Sequence, residues 1–143
     1  MKIAIYGAGA IGGLLGAKLA HAGSDVTLIA RGPHLAAMRE NGLKLITEGD
    51  DGTRQEIVTH PKCTDDPQQA GRQDYVIVTL KAHSVPAVAR PMQAMMGPET
   101  AVVTAINGVP WWYFYGIGGD HEGRRIASVD PDGALGQEIT AQR

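Results

Sequence analysis

The chain holds a single cysteine, no apolar run long enough to span a bilayer and no stripe of basic residues. Each of these shortages closes off a class of protein. Cys63 cannot form an internal disulfide and lacks companions at metal-ligand spacing, so neither a disulfide framework nor a zinc site is expected. A membrane span needs about 18 consecutive apolar residues, and the N-terminus shows no basic, apolar and cleavage regions in succession, so no membrane is expected and a cytoplasmic protein is. With 13 basic residues against 15 acidic ones the net charge is −2, and nothing here could neutralise a phosphate backbone, so nucleic acid is not an expected partner. Internal repeats and low-complexity segments are absent too. The 143 residues suffice for one domain burying roughly 68% of its unfolded surface, and not for two.

What the chain does have stands at its start. Ile3, Ala4, Ile5 and Tyr6 form a short apolar run, Gly7-Ala8-Gly9-Ala10-Ile11-Gly12 follows, and an Ala/Leu-rich stretch continues to His21. Strand, tight glycine turn and helix in that order are the fingerprint of a dinucleotide-binding βαβ unit. Gly7 permits the sharp turn, Gly9 leaves room for a pyrophosphate, and Gly12 lets the helix lie close on the strand. The pyrophosphate then meets free N–H groups and the positive end of the helix dipole. In the helix Ile11, Leu14, Leu15, Leu19 and Ala22 recur at helical spacing, which predicts the buried face.

Gly23 predicts the helix end, and residues 26–30 predict a second strand, completing the unit. An NAD binder usually carries Asp or Glu where that strand ends. Here stand Ala30, Arg31 and Gly32, and the guanidinium fork of Arg31 suits a 2′-phosphate, which selects NADP(H). A short helix is expected from Pro33 to near Gly42, then a hairpin of strands 43–47 and 56–60 inserted on the nucleotide fold, with no chemistry of its own. His60 stands in a predicted loop without partners for a metal.

Residues 74–80 predict a buried strand that ends at Lys81, with a helix from Val85 toward Met96; residues 100–104 predict another strand, followed by Asn107. Ligands collect beyond the carboxyl ends of strands in open α/β sheets. Lys81 is therefore a candidate for the cofactor or an anionic substrate, and the Asn107 amide can hold cofactor and substrate oxygen together. Trp111, Trp112, Tyr113, Phe114 and Tyr115 are an apolar cluster in want of a cover: the core, a substrate pocket or an interface. From Gly116 on the chain is polar and turn-rich, with only residues 125–129 able to make a strand. The whole predicts an α/β domain of Rossmann type, doubly wound around a mainly parallel sheet.

These residues together resemble a family. The Gly-Ala-Gly-Ala-Ile-Gly opening, Arg31, Thr79-Leu80-Lys81-Ala82 and Asn107-Gly108-Val109-Pro110-Trp111 resemble the N-terminal half of the ketopantoate reductases (2-dehydropantoate 2-reductases). The resemblance implies that Gly7, Ala8, Gly9, Ala10, Ile11 and Gly12 hold the pyrophosphate of NADPH and Arg31 its 2′-phosphate. It places Lys81 and Asn107 at the nicotinamide, with Asn107 also touching substrate. Family members are longer and carry an all-helical domain supplying the proton-donating lysine and an acidic substrate ligand, so residues 1–143 are expected to be a cofactor domain ending before its last strand, with no catalytic acid of its own and little turnover alone.

The function so implied is NADPH-dependent reduction of a small 2-keto acid, 2-dehydropantoate to pantoate, in pantothenate biosynthesis. Two alternatives stay open: a non-enzymatic NADP-binding module or remnant, and a related hydroxy-acid or opine-type dehydrogenase. Self-association through the aromatic cluster or an unfinished sheet edge is the expected assembly.

Overall fold

The computed structural model describes residues 1–142. Five parallel strands form the main sheet in the order β5-β2-β1-β6-β7: β1 (Lys2–Tyr6), β2 (Asp25–Ile29), β5 (Lys62–Thr64), β6 (Tyr75–Val78) and β7 (Ala101–Thr104). The chain winds from β1 outward through β2 to β5, then returns to the other side of β1 for β6 and β7. This is the Rossmann-type doubly wound arrangement, and its strand order reverses between β1 and β6.

Alternation along β1 divides the interior into two cores. Ile3 and Ile5 face one side with Ala17, Val26, Leu28 and Met38; Ala4 and Tyr6 face the other with Val76, Val78, Met92 and Met95. Two-sided burial explains why the strand reads as an unbroken apolar run. Helix α1 (Ala10–His21) covers the first side, and of the predicted stripe Leu15 and Leu19 pack against that core from its margin. Its buried residues are Gly12, Gly16 and Ala17, whereas Ile11 is 54% exposed, Leu14, Leu15 and Leu19 are half-buried and Ala22 is exposed. A side chain on Gly16 would press on Leu28 at 2.7 Å, so α1 lies too close to the sheet for anything larger along its central seam.

Helix α2 (Gly32–Asn41) follows β2, and β3 (Leu43–Glu48) pairs with β4 (Arg54–Thr59) as the expected antiparallel hairpin, a separate sheet beside α1. The short edge strand β5 and helix α3 (Pro67–Ala70) were not foreseen. The helix predicted from Val85 to Met96 is divided into a 3-10 turn (Ala82–Ser84), α4 (Pro86–Met92) and a second 3-10 turn (Gln93–Met95).

One expectation for the last third is corrected. Residues 125–129 make no strand: 125 and 126 lie in no regular element and 127–129 in a turn. Helix α5 (Ala134–Glu138) returns to the sheet, and Leu135 and Ile139, each 1% exposed, complete the core around Val85 and Met92. Asp130, 2% exposed, accepts from the N–H groups of Leu135 (3.0 Å) and Gly136 (3.1 Å), which satisfies the start of this short helix. The Trp111 indole N–H donates to the Ile139 carbonyl at 3.1 Å, so this tryptophan is covered from within. Trp112, Tyr113, Tyr115 and Ile117 remain between 42% and 53% exposed. Glu122 ties their loop together by accepting from Gly116 (2.8 Å) and Gly118 (2.6 Å), and these N–H donors hold its carboxyl below the usual range.

Candidate functional site

The carboxyl ends of β1, β2 and β6 open into a cleft of about 610 Å³, lying where the strand order reverses. Gly7, Ala8 and Gly9 form one wall, Arg31 and His34 a second, and Leu80 and His83 a third. The glycines at the turn that begins the cleft differ in what the fold asks of them. Gly7 has φ +106°, a conformation that side chains disfavour, and a Cβ there would also meet Leu80 at 2.8 Å. A Cβ on Gly12 would overlap the Gly7 carbonyl oxygen and reach Thr79 Oγ1 at 2.6 Å. A Cβ on Gly9, by contrast, meets no atom of the protein within 4 Å, so nothing in the fold itself requires glycine there.

Gly9 is also the N-cap of α1, whose first turn has no side-chain cap and no acidic residue. The free N–H groups and the dipole of a 12-residue helix are left for an anion. Arg31, at the N-cap of α2, makes no ion pair among the described residues. Tyr6 lines the cleft below it; burial pushes its hydroxyl pKa up, against the opposing pull of Arg31, so it stays a neutral hydrogen-bonding group. These features fit a dinucleotide: a glycine whose missing side chain opens onto a cleft, an uncapped helix start and an unpaired guanidinium.

A second pocket of about 270 Å³ lies beyond the 3-10 turn, lined by Ala82, Val85, Thr104, Asn107, Trp111 and Leu135 among others. The two cavities share that turn, since Ala82 borders the smaller one and His83 and Ser84 the larger. Asn107 is exposed and faces the smaller pocket.

Of the residues singled out in the sequence, Gly7, Ala8, Gly9 and Arg31 line the main cleft. Ala10 and Ile11 stand exposed in the first turn of α1, and Gly12 is buried beneath it, so these three do not line it. Lys81 leaves β6 at the N-cap of the 3-10 turn and is exposed, bordering neither cavity. Two cleft residues went unread. His34 places Nε2 2.6 Å from the Ala8 carbonyl oxygen, and Asp65, just past β5, supplies a carboxylate to the cleft. Neither carries a local signal, because both arrive through the pairing of distant segments. Among the described residues no cluster of His, Cys, Asp or Glu could hold a metal, and no helix is long and apolar enough to cross a membrane.

Comparison with known proteins agrees with this geometry. The family model "Ketopantoate reductase PanE/ApbA" matches residues 3–110. A 2-dehydropantoate 2-reductase of Mesorhizobium japonicum is 49% identical over the whole chain, which covers 43% of that protein. A crystal structure described as a ketopantoate reductase from Ralstonia solanacearum superposes with a TM-score of 0.84 at 41% identity, over 98% of this chain and 42% of that one. A D-mandelate dehydrogenase solved with NADH and anilino(oxo)acetate matches with a TM-score of 0.67 at 27% identity, over 77% of this chain and 35% of that one. The chain thus spans less than half the length of the relatives it matches.

Proposed function

The chain belongs to the ketopantoate reductase family, and on that premise we propose that it is the NADP(H)-binding part of an oxidoreductase reducing 2-dehydropantoate to pantoate, in pantothenate biosynthesis and in the cytoplasm. The observation that carries this reading is Gly9, whose absent side chain faces only open cleft at an uncapped helix start. When bound, NADPH supplies the hydride. The chain's part is positioning and the exclusion of water. The turn at Gly7–Gly9 and the first N–H groups of α1 hold the pyrophosphate, and Arg31 holds the 2′-phosphate. Asn107, at the smaller pocket, orients the substrate oxygen by donating its amide N–H, and Lys81 adds positive charge at the nicotinamide side. No proton donor is assigned among residues 1–143; that role goes to a lysine of a helical domain, so this chain alone should show little turnover.

Cofactor choice tests the reading. A charge-assisted hydrogen bond contributes about 1.5–3 kcal/mol, so Arg31 should favour NADPH over NADH by about 10- to 150-fold. Titration calorimetry should show this preference, and Arg31→Ala should erase it. Equal affinities in the unmutated chain would remove Arg31 from the phosphate. A hydroxy-acid dehydrogenase of the D-mandelate dehydrogenase kind is the second reading, favoured by the structural match and by the Asp65 carboxylate in the cleft. It predicts tighter binding of NADH.

For assembly we propose self-association through the exposed part of the aromatic loop and the β7 edge. Val103 on β7 is 44% exposed, and Trp112, Tyr113 and Tyr115 extend the apolar surface. Light scattering over a dilution series should give at least a dimer at tens of micromolar; a monomer mass throughout would show that this surface stays free.

A further inference from the structure

Arg31 and His34 both belong to the start of α2 and line the same cleft, but only His34 is hydrogen-bonded there. Arg31 stands at the N-cap, free of ion pairs, while His34 turns its ring to the glycine turn and sets Nε2 2.6 Å from the Ala8 carbonyl oxygen. Ala8 itself is 5% exposed, wedged between Gly7 at φ +106° and Gly9 at the helix cap. The Ala8 carbonyl and the Gly9 N–H belong to one planar trans peptide and point in opposite directions. A ring N–H that holds the carbonyl therefore also fixes the direction of the Gly9 N–H. The torsions that reorient this peptide are ψ of Ala8 and φ of Gly9, and glycine at the second leaves it freer to turn than any other residue would.

We propose that His34 is a positioning residue: it donates to the Ala8 carbonyl, locks the Ala8–Gly9 peptide, and so prepares the glycine turn for the pyrophosphate of the dinucleotide. This rests on the cofactor-binding reading above and adds a division of labour to it. His34 governs affinity for what NADPH and NADH share, and Arg31 governs the difference between them.

The test is a comparison of Kd values for NADPH, NADH and adenosine 2′-monophosphate, which lacks a pyrophosphate. His34→Ala should weaken both dinucleotides about tenfold, leave their ratio unchanged and spare the monophosphate; about 1.4 kcal/mol corresponds to that factor. Arg31→Ala should do the reverse, collapsing the ratio and losing the monophosphate. His34→Gln keeps an N–H donor on a side chain of similar reach and should restore most of the dinucleotide affinity. If His34→Ala leaves NADH binding intact, or shifts the NADPH to NADH ratio, the positioning role is wrong while the cofactor reading stands. If the unmutated chain binds neither dinucleotide, both fall together. Circular dichroism of His34→Ala matching the unmutated chain excludes loss of fold as the cause, and failure of a folded His34→Gln to restore binding also overturns the proposal.

Discussion

Replacing Gly9 by Val should abolish dinucleotide binding and leave the fold almost untouched. The backbone at Gly9 has φ −73° and ψ −160°, an extended conformation that valine adopts without strain, and the added carbons meet no protein atom. Valine is a poorer N-cap than glycine, so a stability cost of about 1 kcal/mol is the most the fold should show. Binding should suffer far more. The methyl groups occupy the space in front of the first N–H groups of α1, and losing two charge-assisted hydrogen bonds at about 1.5–3 kcal/mol each raises Kd more than 100-fold. Gly12 is the internal control. A Cβ there overlaps the backbone oxygen of Gly7, which cannot swing aside, and presses on Thr79 Oγ1, so Gly12→Ala should cost about 3 kcal/mol or more in stability. Thermal melts and NADPH titrations on both variants separate the two roles. A Gly9→Val protein that keeps its affinity would take the glycine turn out of the binding site.

The contrast between these glycines also shows what can be read from a sequence. Spacing identified Gly7, Gly9 and Gly12 because a βαβ turn imposes the same local constraints wherever it occurs. The strands β1, β2 and β6 were found because strands inside a parallel sheet read as short apolar runs, and β7, at the sheet edge and partly exposed, reads as one too. The face of α1 was misjudged because hydrophobicity was taken as a measure of closeness. The seam nearest the sheet is Gly12, Gly16 and Ala17, chosen for size, and the leucines flank it. His34 is 26 positions from the carbonyl it contacts, and only the parallel pairing of β1 with β2 brings them together. β5 is three residues long and lies at a sheet edge, too short for any period to show. In the last third the glycines and prolines were read correctly as turns, but Leu135 and Ile139, four residues apart on one helical face, were overlooked among them.

That pair should prove essential to the fold. Helix α5 has five residues, fewer than an isolated helix needs to persist in water, so its packing and its cap at Asp130 hold it in place. Leu135 and Ile139 lie in the same core as Ala4, Val76, Val78 and Met92, beneath the sheet face that carries Tyr6 into the cleft. Truncating a fully buried Leu or Ile to Ala costs about 2–5 kcal/mol, because the lost contacts leave a cavity. A domain of this size is stable by about 5–15 kcal/mol, so either substitution should lower the urea midpoint substantially and the double variant should be near unfolding. The Trp111 indole reports on the same event, since its hydrogen bond to the Ile139 carbonyl is lost when α5 detaches. Its emission should shift to the red at urea concentrations below the main transition in Leu135→Ala. A cost under about 1 kcal/mol, the range of surface substitutions, with unshifted emission would mean that the segment after Gly116 does not pack on the sheet, and that the β6–β7 side of the sheet gets its cover elsewhere.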